Sequence, residues 1–470
     1  MSLATFGADA HLIEADSGKI WAGAALAQQI AQAAEVIDQL PAGLLMLRMA
    51  PEIGPVCAYM AALRLGRAVA LLDPALSAEA LITQLDRYAP AAVWCPPDIA
   101  PPAQYRLRPW GWLRLPPAAP VHADLALLLS TSGSSGQPRW VRLSRRAVQL
   151  NAAAIIQSLH LTPGSLASTQ LPLHLGYGLS VLNSHLSAGA GILLTGRPIV
   201  SAPFWAQLDQ YGVNHFAAVT PLYRLLERLR WSPQDHPSLR VLTQSGSSMP
   251  ADLVASLARG LQAQAGRLFL MYGQTEATAR IAVLPPEQIS QRPASVGRVV
   301  AGGQLAIQLA NGEETQQPGV AGEVIYRSHC VMSGYADQAA DLALGDCCHG
   351  QLATGDLGQL DADGYLYLQG RLSRIAKVSG LRISLDAIEN IAPQLGITGP
   401  GAAVAPGDQR IVLWYAGLET ADVERSWARQ LAQRLQLSPH LVSVRGIDML
   451  PLLSSGKTDY QTLLREAESC

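Results

Sequence analysis

The chain has 470 residues, 49% of them hydrophobic and 15% charged, and carries a formal net charge of -2. That length and apolar content allow a large buried core in more than one domain and exclude an intrinsically disordered chain. Near-neutral charge removes any general electrostatic pull towards nucleic acid or an anionic bilayer, and no apolar stretch is long enough to span a membrane.

The first residues, Met1 to Asp9, lack a basic segment followed by an apolar one, so the expected location is cytoplasmic. Ala24–Val36 reads as a helix and Leu44–Leu47 as an apolar strand. Val56–Leu65 and Ala68–Leu72 repeat that order, and so do the helix Ala78–Tyr88 and the strand Ala92–Cys95. Alternation of this kind predicts a parallel α/β layer. A proline-rich connector, Pro96–Pro120, leads to the apolar strand Leu125–Leu129. Next comes Ser130-Thr131-Ser132-Gly133-Ser134-Ser135-Gly136-Gln137-Pro138-Arg139, and then a second strand, Trp140–Leu143.

A Gly/Ser loop between two strands suits phosphate. Gly133 and Gly136 permit the positive φ that turns successive backbone N–H groups to one point. Thr131, Ser132, Ser134 and Ser135 add hydroxyl donors, and Arg139 adds a fixed positive charge. No Gly-Lys-Ser/Thr follows, so this is not a Walker A loop. Ser144 is placed to cap a helix over Arg145–Leu159, and Leu239–Thr243 reads as a strand running into the turn Gln244-Ser245-Gly246-Ser247-Ser248. The strand Leu268–Leu270 precedes Met271-Tyr272-Gly273-Gln274-Thr275-Glu276. Residues 304–335 alternate strands and turns, which predicts a β-rich subdomain, and the tail beyond residue 372 alternates helices with strands. The six cysteines show no CxxC or zinc spacing, and the vicinal pair Cys347-Cys348 beside His349 is expected to carry ordinary thiols.

Taken in order, these strings resemble the signatures of the adenylate-forming superfamily: acyl-CoA synthetases, nonribosomal peptide adenylation domains and luciferases. The Gly/Ser loop is similar to Thr-Ser-Gly-Ser/Thr-Thr-Gly-x-Pro-Lys-Gly, with Arg139 for the lysine and Trp140 for the last glycine. Tyr272, Gly273, Thr275 and Glu276 match every fixed place of Tyr-Gly-x-Thr-Glu. Gly370–Ile383 resembles the family crossover Gly-Arg-x-Asp-Asp-x-Ile-Lys-x-x-Gly-x-Arg-Ile, with Ser373 where an aspartate is common. Pro451 to Lys457 resembles the closing Pro-x4-Gly-Lys.

The resemblance implies an N-terminal adenylation core over residues 1–372 and a small mobile C-terminal domain over 373–470. ATP and Mg²⁺ are the implied cofactors, and CoA or a phosphopantetheine is the implied acyl acceptor. Tyr272 would stack on the purine, and Gly273 would let the backbone approach it. Gly246 and Ser247 would lie along the adenine. Thr275 would donate to the α-phosphate, and Glu276 is a hard oxygen ligand for Mg²⁺. Asp356 would accept from both ribose hydroxyls, and Arg371 would reach ribose and phosphate. Tyr177, His215, Phe216 and Gly297 would border the acyl pocket. Ser373 is the hinge, Gly380 gives the thiol arm passage, and Lys457 is the catalytic lysine. His174 sits one place off the family's usual channel histidine and reads as a structural imidazole. The aspartate that holds an α-amino group in amino-acid-activating members has no counterpart near residues 171–179.

The implied reaction joins a small carboxylic acid other than an α-amino acid to AMP, then to a thiol. An acyl or peptidyl carrier protein is a possible partner; nucleic acid and membrane insertion are not expected. The rival readings are a stand-alone amino-acid-adenylating enzyme and a catalytically inactive relative that binds nucleotide or acyl groups. Arg139, Trp140 and Ser373 are the departures that favour the inactive relative.

Overall fold

Strands with unbroken apolar runs need cover on both faces, and Val69–Leu72 and Gly191–Leu194 are buried along their whole length. The computed structural model describes residues 7–94, 100–131, 139–262, 264–453 and 458–468. They fall into two units. One takes the described residues up to 131, from 139 to 305 and from 326 to 352; the other takes those from 306 to 325 and from 353 to 468.

The first unit holds two large sheets. In the nine-stranded sheet Arg267–Tyr272, Val241–Gln244, His215–Ala218, Leu166–Ser168, Gly191–Leu194 and His11–Glu14 run parallel in that spatial order, with antiparallel strands at both edges. In the eight-stranded sheet Leu125–Thr131, Val69–Leu72, Leu45–Arg48 and Ala92–Trp94 are parallel neighbours. The expected α/β layering is therefore present, in two sheets. Ser144 caps Arg145–Leu159 as expected, its Oγ accepting the Ala147 N–H at 3.1 Å.

The stretch read as a proline-rich connector contains a hairpin instead. Tyr105–Arg108 and Gly111–Arg114 pair antiparallel, and the second strand adds to Ala92–Trp94 at the sheet's edge. Prolines stand beside these short edge strands, where no ladder hydrogen bond is lost, so their density concealed the pairing.

The second unit includes most of a five-stranded sheet, in the order Glu314–Thr315, Gly303–Gln308, Gly322–Ser328, Gln351–Leu360, Leu366–Arg371. Beyond it, Gly401–Val404, Ile411–Ala416 and Val442–Ile447 form a three-stranded sheet, with the helices Leu385–Ile391 and Ala421–Leu435 contributing to its core. A last helix, Tyr460–Glu468, buries Leu463 and Ala467 against Val404 and Trp414. The sequence pattern did not anticipate it. A nine-residue helix shows two turns of periodicity, too few to stand out from the polar tail. Among the described residues no helix is long and apolar enough to cross a membrane.

Candidate active site

In the first unit the candidate residues gather at the carboxyl ends of parallel strands, where open α/β sheets place ligands. Arg267–Tyr272 ends in Tyr272, which is buried, and the chain then turns through Gly273 into a single 3-10 turn, Thr275–Ala277. Thr278 and Ala279 both have positive φ, 57° and 101°. This loop folds back on itself so closely that a Cβ on Gly273 would lie 1.7 Å from the Ala279 carbonyl oxygen. Glycine is thus required there by the chain's own packing, before any nucleotide is considered. Asn151, buried on the helix behind, clamps the far side by donating to the carbonyls of Ala277 (3.5 Å) and Arg280 (3.0 Å).

The Glu276 carboxylate accepts a hydrogen bond from the Tyr335 hydroxyl at 2.9 Å. Burial and the adjoining carboxylate raise the Tyr335 pKa, so the phenol stays protonated and donates. Arg139 lies over the face of the same ring, 3.8 Å from its centroid, and is also held by Asp337 through Nε (3.3 Å) and Nη2 (3.2 Å). Strand pairing explains the assembly: Tyr335 is opposite Val141 and Ala336 is opposite Trp140. One tyrosine therefore contacts both Arg139 and the candidate metal ligand Glu276. Tyr335→Phe keeps the ring under Arg139 but frees the carboxylate. Its expected effect is a roughly threefold to tenfold rise in KM for Mg-ATP with little change in melting temperature, read by steady-state kinetics and calorimetry.

Thr131 faces Arg139 across the hairpin mouth and donates to its carbonyl at 3.4 Å. Ser132, Gly133, Ser134, Ser135 and Gly136 lie outside the described residues, as does Lys457. Trp140, the departure from the family glycine, is accommodated in the core: it is 5% exposed, packs edge-on to Tyr88, and donates to Gln84 at 2.9 Å.

A narrow pocket is bordered by Tyr177, His215, Phe216, Met271 and Arg280 among others. The Tyr177 hydroxyl is within 2.8 Å of Thr243 Oγ1, and burial pushes its pKa up to about 12 despite the nearby Arg280 guanidinium. His215 packs edge-on to His185 with ring centroids 5.2 Å apart. Burial lowers both imidazoles, His185 to about 4, so both are neutral at pH 7. Phe216 also anchors an aromatic cluster with Phe204, Trp205, Tyr223 and Trp231. Gly246 adopts φ +98° in the exposed turn that it shares with Ser247. Gly297, at φ +100°, leaves no room for a side chain: a Cβ would meet the Val283 carbonyl carbon at 1.9 Å. His174 is buried, with Nε2 3.7 Å from Asp73 and Nδ1 without a hydrogen-bond partner among the described residues.

In the second unit Asp356 and Arg371 are cross-strand neighbours, and Arg371 Nε donates to Asp356 Oδ1 at 2.8 Å. Thr354 fixes the turn before them, donating to the Val324 carbonyl at 2.8 Å and accepting from the Asp356 N–H at 3.1 Å. Ser373 is exposed on the short turn Leu372–Arg374. Its neighbour Arg374 is held by Asp386 at 2.7 Å and by Glu389, so one side of the turn is anchored. Ser379 and Gly380, with φ of 53° and 81°, make the two-residue turn joining Ile375–Val378 to Leu381–Ser384. A Cβ on Gly380 would meet nothing within 4 Å, so backbone conformation and not crowding selects glycine.

Two contributors escaped the sequence reading. Tyr335 was seen only as the end of a turn, and Arg280 stood outside every matched string. Its signal was a lone charge in the run Ala279-Arg280-Ile281-Ala282-Val283-Leu284.

The fold is a layered α/β fold, with candidate residues gathered at the carboxyl ends of its parallel strands. The family model described as AMP-binding enzyme matches residues 7–336. Oxalate–CoA ligase of Arabidopsis thaliana is 33% identical over 277 residues, 56% of this chain and 52% of that protein. L-proline–[L-prolyl-carrier protein] ligase of Streptomyces coelicolor is 28% identical over 356 residues, 72% of this chain and 66% of that protein. The chain thus aligns with between half and two thirds of the length of these relatives. The structure of o-succinylbenzoate CoA synthetase from Bacillus subtilis with its acyl-adenylate intermediate superposes with a TM-score of 0.76 at 20% identity, covering 98% of this chain and 95% of that one. The chain belongs to the AMP-binding enzyme family of the adenylate-forming superfamily.

Proposed function

We propose that the chain is an AMP-forming acid–thiol ligase. A carboxylate oxygen attacks the α-phosphorus of ATP, the bond to the bridging oxygen breaks, and pyrophosphate leaves. A thiol of CoA or of a carrier-protein phosphopantetheine then attacks the acyl carbon and displaces AMP. The observation that carries this reading is the contact of both Arg139, over the ring, and Glu276, at the hydroxyl, with Tyr335, beside the hairpin that brackets the Gly/Ser run.

The roles follow from residue chemistry. Ser132–Gly136 with Thr131 and Arg139 hold the β- and γ-phosphates, and Thr275 donates to the α-phosphate. Tyr272 stacks on adenine beside the turn at Gly246 and Ser247. Asp356 takes the ribose diol and shares it with Arg371. Lys457 brings its ammonium between the two reacting anions. Tyr177, His215, Phe216 and Gly297 border the acyl group. Among the described residues no group of three or more His, Cys, Asp or Glu side chains could hold a metal ion. A single carboxylate at Glu276 suits Mg²⁺ carried mainly by the nucleotide's own phosphates, and such an ion would offset charge on them. We divide the chain functionally at 372/373, with Ser373 as the hinge and Gly380 on the arm's path.

Relatives act, by name, on oxalate, L-proline and o-succinylbenzoate, with CoA or a carrier protein as acceptor, so names alone choose neither acid nor acceptor. The test is carboxylate-dependent exchange of labelled pyrophosphate into ATP across a broad acid panel. Exchange with a non-amino acid is expected. Exchange with amino acids only selects the amino-acid-activating rival, and none at all selects a binding protein.

A further inference from the structure

Among the described residues Arg142 and Arg280 are buried and Arg374 is nearly so, and Arg142 and Arg374 are saturated. Arg142 donates to the carbonyls of Ser333, Tyr335, Leu344 and Gly345. Arg374 is held by Asp386 and Glu389. Arg280 differs. It is 2% exposed, donates to Ser245 Oγ at 2.9 Å, and lies 5.0 Å from the Tyr177 ring, yet its Nε has no hydrogen-bond partner. Among the described residues no aspartate or glutamate pairs with it.

The guanidinium borders the acyl pocket, together with His185, His215, Thr243 and Tyr177. Two further polar atoms on the same wall, His185 Nε2 and His215 Nδ1, also have no partner. His185 Nδ1–H donates to the Val181 carbonyl at 2.9 Å, which leaves Nε2 as an acceptor. Both imidazoles are neutral at pH 7, so Arg280 carries the only fixed charge among the described residues of the pocket wall. A buried charge without a counter-charge is costly, and a wall of this kind favours a ligand that supplies one. A guanidinium fork matches a carboxylate in shape and charge, whereas an ammonium group on the substrate would be repelled.

We propose that the pocket selects a dicarboxylic acid: one carboxylate is adenylated, and the other is held by Arg280, with the two histidines as neutral polar neighbours. This rests on the ligase reading and narrows its substrate class. The structural alternative is that Arg280 merely braces Ser245 in the turn after Val241–Gln244.

The experiment compares aliphatic and aromatic monocarboxylic acids with dicarboxylic acids of equal length, using the full-length chain. The best dicarboxylate is expected to exceed its monocarboxylic counterpart at least about thirtyfold in kcat/KM for pyrophosphate exchange. Arg280→Met is expected to bring that ratio to about one, and Arg280→Lys to leave an intermediate ratio because it keeps the charge without the fork. A wild-type ratio of one or below overturns the proposal whether or not the variants fold. So does an Arg280→Met enzyme that loses both acids in equal proportion, as a bracing role requires. Calorimetric titration of the dicarboxylates in the presence of a non-hydrolysable ATP analogue reads occupancy without chemistry. Binding weakened at least about tenfold by Arg280→Met supports the proposal even where exchange is silent, an outcome that sinks the ligase reading alone. Absence of dicarboxylate binding overturns it.

Discussion

Lys457→Ala is expected to lower carboxylate-dependent pyrophosphate exchange at least about a hundredfold, while transfer of a supplied acyl-adenylate to thiol stays within about threefold of wild type. Adenylation brings a carboxylate against a phosphate, and both are anionic. An ammonium placed between their oxygens relieves repulsion that grows as the new bond forms, which makes it a transition-state interaction. A hundredfold corresponds to about 2.7 kcal/mol, within the range for removing one preorganised electrostatic group. Thioester formation has a neutral acyl carbonyl as its electrophile and does not need that charge. Measuring the two half-reactions separately therefore distinguishes a catalytic lysine from one that supports the fold. An equal loss in both would remove Lys457 from the mechanism.

Glu276→Gln is expected to reduce exchange by a comparable factor, again at least about a hundredfold, with a raised requirement for Mg²⁺. The glutamine side chain has nearly the same shape and still accepts from the Tyr335 hydroxyl, a bond of 2.9 Å in the native protein. The loop itself is held by other contacts: the Glu276 carbonyl accepts from the Met332 N–H at 2.8 Å, and Asn151 clamps Ala277 and Arg280. Melting temperature should move by no more than about 2 °C. Only the charge is lost. Titrating Mg²⁺ at saturating ATP checks the assignment, and an unchanged magnesium dependence would remove Glu276 as a ligand.

Wild type, Tyr335→Phe and Glu276→Gln together form a graded series. Tyr335 orients a carboxylate that Glu276 supplies, so the first substitution is expected to act on KM and the second on both kcat and KM. Arg139 over the face of the ring contacts the same tyrosine. A lysine there would keep the charge but lose the planar stack and the two bonds to Asp337. The departure from the family lysine thus has a local partner set of its own.

Much of this molecule could be read before any coordinates. Apolar runs separated by amphipathic stretches announced parallel sheets, and Ser144 capped the helix that it was expected to cap. Motif matches put Tyr272, Gly273, Thr275 and Glu276 onto one strand-to-turn junction, whereas the neighbourhood of Asp356 and Arg371 came from the pairing of their strands. These features rest on short-range chemistry: periodicity, capping, and the positive φ that Gly380 and Gly246 adopt in turns.

What stayed hidden depends on contacts between distant parts of the chain. Tyr335 meets Glu276 across 59 positions, and Asn151 reaches the Arg280 carbonyl across 129. A side-chain hydroxyl on a strand paired with Val141 makes the first of these contacts and a buried amide on a helix the second, and no local pattern encodes either. Arg280 shows the same division. Its charge in an apolar run is visible in the string of letters, but its burial with no acidic partner among the described residues, on the wall of a pocket, exists only once Ser245, Tyr177 and two histidines have been carried to it by folding. Local propensities specify which elements form; desolvation and pairing among remote side chains specify what the finished pocket is able to hold.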